Sequence, residues 1–228
     1  MKFPAVAFDL DGTLYPNYRL NVRLVPFLLK DQRLLRAMGR AREQLRKSYM
    51  DPGGNLAEAG ENFYDTQARL MSGILGGDAE KIKADTEKLI YRGWEPHFRK
   101  IRLFPHVRET LDLFRRAGIR MGLLSDFPPG EKLIHLEIAG CWDAVLCSEE
   151  CGRLKPDPLS FLELAAKMEK PPAEILYVGN SVPYDVEGAR RAGMKTALVC
   201  SGLKRLFSVS SPDFIFSDYR QLRDYVLS

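Results

Sequence analysis

The 228-residue chain is poor in several things whose scarcity excludes whole classes of protein. It has only four cysteines, Cys141, Cys147, Cys151 and Cys200, too few for a disulfide framework in a chain of this length. Their spacing, with His135 the nearest histidine, matches no common zinc pattern, so reduced thiols are expected. No apolar run is long enough to cross a membrane, and acids interrupt the N-terminal stretch MKFPAVAFDLDGTLY where a signal peptide needs an unbroken apolar core. A cytoplasmic protein is the expectation. The three histidines, His97, His106 and His135, share no metal spacing and read as structural or exposed. Neither GxGxxG after a strand nor GxxxxGK[ST] occurs, which removes dinucleotide and P-loop chemistry. Repeats, heptads and low-complexity tracts are also missing.

What is present is an ordinary globular composition, 45% hydrophobic and 28% charged. The formal charge of +4 is unevenly spread. Residues 16–50 hold nine Lys or Arg against Asp31 and Glu43, a net +7 that leaves −3 for the remainder. Such a block can attract an anionic substrate or a nucleic acid. Its interleaving with an apolar stripe in LVPFLLKDQRLLRAM favours a solvated helix face.

Two textures divide the chain. Residues 1–15 and 101–228 alternate short apolar β-type runs with helical stretches, whereas 16–100 show helical periodicity and no convincing strand. Strands are predicted at 6–10, 119–125, 144–147, 175–179, 196–200 and 213–216. Helices are predicted over 107–117, 130–139, 158–168 and 183–192, with a short one at the C-terminus. In the middle segment Leu56, Ala59, Phe63, Leu70, Met71 and Ile74 recur at three- and four-residue steps, marking one amphipathic helix that Gly76-Gly77 ends, and Asp78 is a good N-cap for the next. DPGGN at 51–55 breaks the helices around it. The βαβα rhythm predicts an α/β fold, a doubly wound, mostly parallel sheet of Rossmann-like kind, with a small helical domain inserted over 16–100 between core segments 1–15 and 101–228.

In such sheets ligands bind beyond the carboxyl ends of the strands. Those ends are polar here: Asp9 and Asp11 after the first, Ser125-Asp126 after the second, Lys155 in the segment after the third, and Gly179-Asn180-Ser181 with Asp185 after the fourth. Each alone reads as a cap, a turn or a surface charge. Together they supply carboxylates for a hard divalent cation, a hydroxyl and an ammonium for phosphate oxygens, and a nucleophile.

DLDGTLY at 9–15, Ser125 after an apolar strand, Lys155 in LKPDP and GNSVPYD at 179–185 resemble, in this order and spacing, the four motifs of the haloacid dehalogenase superfamily. The insert resembles that family's helical cap. The resemblance implies a phosphatase acting on a small phosphorylated metabolite, with neither membrane nor nucleic acid as partner. Asp9 would be the nucleophile that forms an aspartyl phosphate, and Asp11 the general acid and base. Ser125, with Asp126 beside it, and Lys155 would bind the phosphoryl group. Mg2+ would be held by Asp9, the Asp11 carbonyl and a fourth-motif side chain, Asn180 or Asp185.

The second aspartate argues against dehalogenation. Asn180 departs from the aspartate usual at its position, which implies weaker magnesium binding, and Asp126 stands where asparagine is commoner. YPNYRLNV, with Arg19 and Arg23, and the basic helix after it are the expected selectivity elements. Two other readings fit the same residues: a phosphomutase, and a catalytically inactive binding protein that kept the fold.

Overall fold

The computed structural model describes residues 2–18, 20, 22, 24, 25, 32–49, 54, 56–200 and 212–228. Arg19 and Arg23, and most of DPGGN, lie outside the described residues.

Six strands form one parallel sheet: β1 (Ala5–Phe8), β2 (Arg120–Ser125), β3 (Ala144–Cys147), β4 (Ile175–Gly179), β5 (Lys195–Val199) and β6 (Phe214–Phe216). Their order is β3-β2-β1-β4-β5-β6, and every pairing is parallel. The strands are short and apolar because both faces are covered. Alternation along β1 sends Val6 and Phe8 to one face, where they join Leu111, Phe114 and Tyr219. Ala5 and Ala7 go to the other, with Phe161, Leu164 and Tyr177. The chain reverses its direction of travel across the sheet between β1 and β4, so the crevice where ligands bind in doubly wound folds opens beside Asp9.

The helices are α1 (Gln32–Ser48), α2 (Phe63–Leu75), α3 (Ala79–Thr86), α4 (Arg92–Phe98), α5 (Val107–Arg116), α6 (Gly130–His135), α7 (Pro158–Lys167), α8 (Glu187–Arg191) and α9 (Tyr219–Leu227). Between β1 and β2 the described residues contain helices and no strand. Ala37, Met38, Ala41, Met71, Ile82 and Ile90 give α1 to α3 and the π-helical turn Glu87–Tyr91 an apolar centre of their own, with Phe127 from the sheet side packed against it.

The strand expected over 6–10 runs from Ala5 to Phe8, and the helices differ from the sequence expectations at three places. The amphipathic pattern beginning at Leu56 is not one helix: α2 starts at Phe63. Asn62 stops it from extending backwards, since its side chain accepts from the N–H groups of Tyr64 and Asp65 while Asp65 accepts from the Asn62 N–H, a reciprocal cap. The helix expected over 130–139 ends at His135, and Glu137 takes a positive φ of 56° before a single 3-10 turn at Ala139–Cys141. The helix expected over 183–192 opens as a π-helical turn, Val182–Val186, before α8.

Helix α8 packs tightly on the segment that follows Lys155. A Cβ added at Gly188 would lie 2.4 Å from Phe161 Cε2 and 3.1 Å from Pro156 Cα. The Phe161 ring is itself fixed against Tyr177, 4.8 Å between centroids. Gly188→Ala should therefore overpack this contact and destabilise the protein by about 1–3 kcal/mol in urea unfolding.

Candidate active site

Strand β1 ends at the centre of the sheet, and its continuation carries Asp9 between the ends of β2 and β4; the Asp9 N–H donates to the Val178 carbonyl at 2.9 Å. The chain then turns sharply. Gly12 has φ +88°, and a Cβ there would lie 2.1 Å from Nδ2 of Asn180, so this turn tolerates only glycine and brings the first motif against the fourth. Thr13 closes the turn by donating from Oγ1 to Asp9 Oδ2 at 2.7 Å. Its carbonyl accepts from the Tyr219 hydroxyl at the start of α9.

Lys155 lies at the hub. Its Nζ donates to Asp9 Oδ1 and to Asp185 Oδ1, both at 2.7 Å, with the Tyr177 hydroxyl at 3.5 Å. The other Asp185 oxygen accepts from the backbone N–H groups of Asn180 and Ser181 at 3.0 Å each. Ser125 ends β2, and its hydroxyl accepts from the Phe127 N–H at 3.3 Å. Asp9, Ser125, Lys155 and Asp185 are 5%, 0%, 3% and 1% exposed, so all four are buried.

The structure thus brings Asp9, Asp11, Ser125, Lys155 and Asp185 to one end of the sheet. Asn180, beside Gly12, is exposed at the rim. Asp126 faces elsewhere: Oδ1 accepts from the Lys155 backbone N–H at 3.1 Å and Oδ2 from Arg46 at 2.9 Å, so both oxygens fix the main chain around Lys155.

Sequence reasoning gave no role to several residues here. Asp11 is gripped by Lys132, whose Nζ is 2.7 Å from both carboxylate oxygens, and by the Tyr15 hydroxyl. Lysine on a short helix carries no mark separating it from a surface residue, whereas Thr13 and Tyr15 sat inside the first motif and the turn itself points to them. The basic block is the clearest correction. Arg33, Arg36, Arg40 and Lys47 are solvated as expected, but Arg42 is buried in an ion pair with Glu149. Arg46 donates to Asp126 and, through Nε, to the Lys155 carbonyl at 2.9 Å. Two charges of that helix thus turn inward, and Arg46 braces the site.

Burial pushes the Asp9 carboxyl up to about 7, against the pull of Lys155 and with the repulsion of Asp185 and Asp11 adding to it. Burial works the other way on Lys155, but Asp185 and Asp9 outweigh it and hold the ammonium well above its ordinary value.

The sequence profile of haloacid dehalogenase-like hydrolases matches residues 3–193. The chain belongs to that family. A glyceraldehyde 3-phosphate phosphatase of Methanopyrus kandleri is 30% identical, the alignment covering 97% of this chain and 96% of the relative. A phosphoglycolate phosphatase of Salmonella typhi is 25% identical over 95% and 90%. The crystal structure of a phosphatase of this family from Thermococcus onnurineus superposes with a TM-score of 0.62 at 22% identity, covering 99% of this chain and 97% of that one, a likeness of fold. Among the described residues no helix is long and apolar enough to cross a membrane.

A carboxyl whose folded value is raised favours folding below its unfolded value near 4, and that contribution is lost as pH rises through about 7. Asp9→Asn, neutral and of the same shape, should match the native melting temperature near pH 4 and exceed it by a few degrees at pH 8 in metal-free buffer. Lys155→Met should do the opposite, costing about 3–5 kcal/mol by leaving two buried carboxylates without their ammonium.

Proposed function

We propose that this chain is a magnesium-dependent phosphatase of the cytoplasm that hydrolyses a small phosphomonoester through an aspartyl phosphate on Asp9. The observation that carries the reading is the Asp9 carboxylate, held in place by Thr13 and Lys155 at the head of the central strand, with Asp11 two residues on. Residues 16–100 act as a cap over the core formed by 1–15 and 101–228.

In the first half-reaction an Asp9 oxygen bonds to phosphorus, the bond from phosphorus to the leaving oxygen breaks, and Asp11 gives that oxygen its proton. In the second, water attacks phosphorus, the bond to Asp9 breaks, and Asp11 takes the proton from the water. Ser125 and Lys155 bind the phosphoryl oxygens, while Asp126 holds the main chain of Lys155 in place.

Magnesium fits the donors present. They are oxygens, and the Asp9, Asp11 and Asp185 carboxylates outnumber the ammonium groups of Lys155 and Lys132 that touch them. Among the described residues no three His, Cys, Asp or Glu side chains form a ready-made cage. An ion bound through one or two carboxylates plus substrate phosphate needs no such cage. Asp9, the Asp11 carbonyl and Asn180 or Asp185 would hold it. When bound it supplies positive charge to the phosphoryl oxygens.

The decisive experiment follows phosphate release from p-nitrophenyl phosphate, glyceraldehyde 3-phosphate and phosphoglycolate, with and without magnesium. Turnover should require the metal and fall to background in Asp9→Asn. Internal phosphoryl transfer without free phosphate would indicate a mutase, and no turnover by the native chain would leave a binding role. Asn180→Asp, which adds the missing negative charge, should lower the magnesium concentration for half-maximal activity several-fold; an unchanged titration would remove Asn180 from the metal shell.

A further inference from the structure

The first motif's second aspartate is held by a cation that neither the four motifs nor the phosphoryl-binding set contains. Lys132 projects from α6, is 4% exposed, and places Nζ 2.7 Å from both Asp11 oxygens. The ammonium is itself confined, with the Phe98 ring centroid at 5.2 Å and that of Phe127 at 5.7 Å. Phe98 ends α4, in the helical segment, and Phe127 follows the Ser125 strand end, so Lys132 is clasped from both sides of the cleft.

We propose that Lys132 is a positioning residue for the proton-transferring carboxyl of Asp11, an inference that rests on the acid–base role given to Asp11 above. The geometry has a specific consequence. Lys132 and the Tyr15 hydroxyl both address Oδ1, whereas Oδ2 has Lys132 alone. A two-oxygen grip by a caged ammonium fixes the plane of the carboxyl, and the doubly bonded Oδ1 acts as its anchor. Oδ2 is then the oxygen that exchanges a proton with the leaving group and later with water. Glu131 and Glu95, which line the same cleft as Lys132, face His135 and Arg92 instead, and Asp11 is the carboxylate that pairs with Lys132 among the described residues.

Misplacing a proton donor harms reactions in proportion to how much the leaving oxygen needs the proton. p-Nitrophenolate departs without one, whereas the alkoxide of glyceraldehyde 3-phosphate does not. With enzyme in excess over substrate and magnesium present, Lys132→Met should slow cleavage of glyceraldehyde 3-phosphate by about 10- to 100-fold, part of the range general acid catalysis supplies. The single-turnover release of p-nitrophenolate should stay within about twofold of native. Lys132→Arg should recover part of the loss, and Lys132→Gln, which keeps a donor, serves if the methionine variant does not fold. Asp11→Asn, run alongside, should slow cleavage of glyceraldehyde 3-phosphate more than that of p-nitrophenyl phosphate.

If Asp11→Asn discriminates between the two substrates and the Lys132 variants do not, or lose both equally, the positioning role is wrong. If Asp11→Asn itself shows no discrimination, the acid–base reading of Asp11 fails, and the role of Lys132 fails with it.

Discussion

One ammonium between two buried carboxylates organises this protein. Lys155 reaches Asp9 and Asp185 with a single Nζ, and the three groups together carry one negative charge in excess. Taking ions out of water costs several kcal/mol each unless geometry and hydrogen bonds are nearly complete. The surrounding contacts serve that requirement. Thr13 and two backbone N–H groups take up the remaining carboxylate oxygens. Asp126 fixes the Lys155 N–H, Arg46 its carbonyl, and Tyr177 lies beneath its ammonium. Burial, with the repulsion of Asp185 and Asp11 added to it, raises the Asp9 carboxyl to about 7 against the pull of Lys155. The fold keeps unfavourable charge buried at the site, at a cost to the protein's stability.

The sheet was legible because both its signals are local. Parallel strands buried on two faces read as short apolar runs, and β3 and β4 fall where the sequence places them. The strand ends were legible for a chemical reason: Asp9, Ser125, Lys155 and Asp185 break the apolar texture at the points where the topology exposes a crevice. The start of α2 was not, because periodicity continues upstream through Leu56 and Ala59 while the deciding event is a side-chain cap at Asn62.

Pairings across the chain were the least legible. Arg42 with Glu149 spans 107 positions and Lys132 with Asp11 spans 121. Charge alone does not separate a solvated arginine from one that turns inward. The apolar positions Ala37, Met38 and Ala41 do set the buried face of α1, and Arg42 falls beside Ala41 on it. Charge counting treats Arg42 and Arg40 alike; their angular positions on the helix do not.

Arg46 has a meaning for how such enzymes diversify. Families that carry a helical insert on a shared core are often pictured as modular, with the insert exchanged to change substrate while the chemistry stays intact. Here one side chain of α1 donates both to the Lys155 carbonyl and to the carboxylate that fixes the Lys155 N–H. The segment between β1 and β2 is therefore a structural support for Lys155. A chimaera bearing a relative's helices on this core would lose that brace, so new selectivity should arise more readily by substitution within these helices than by their wholesale replacement.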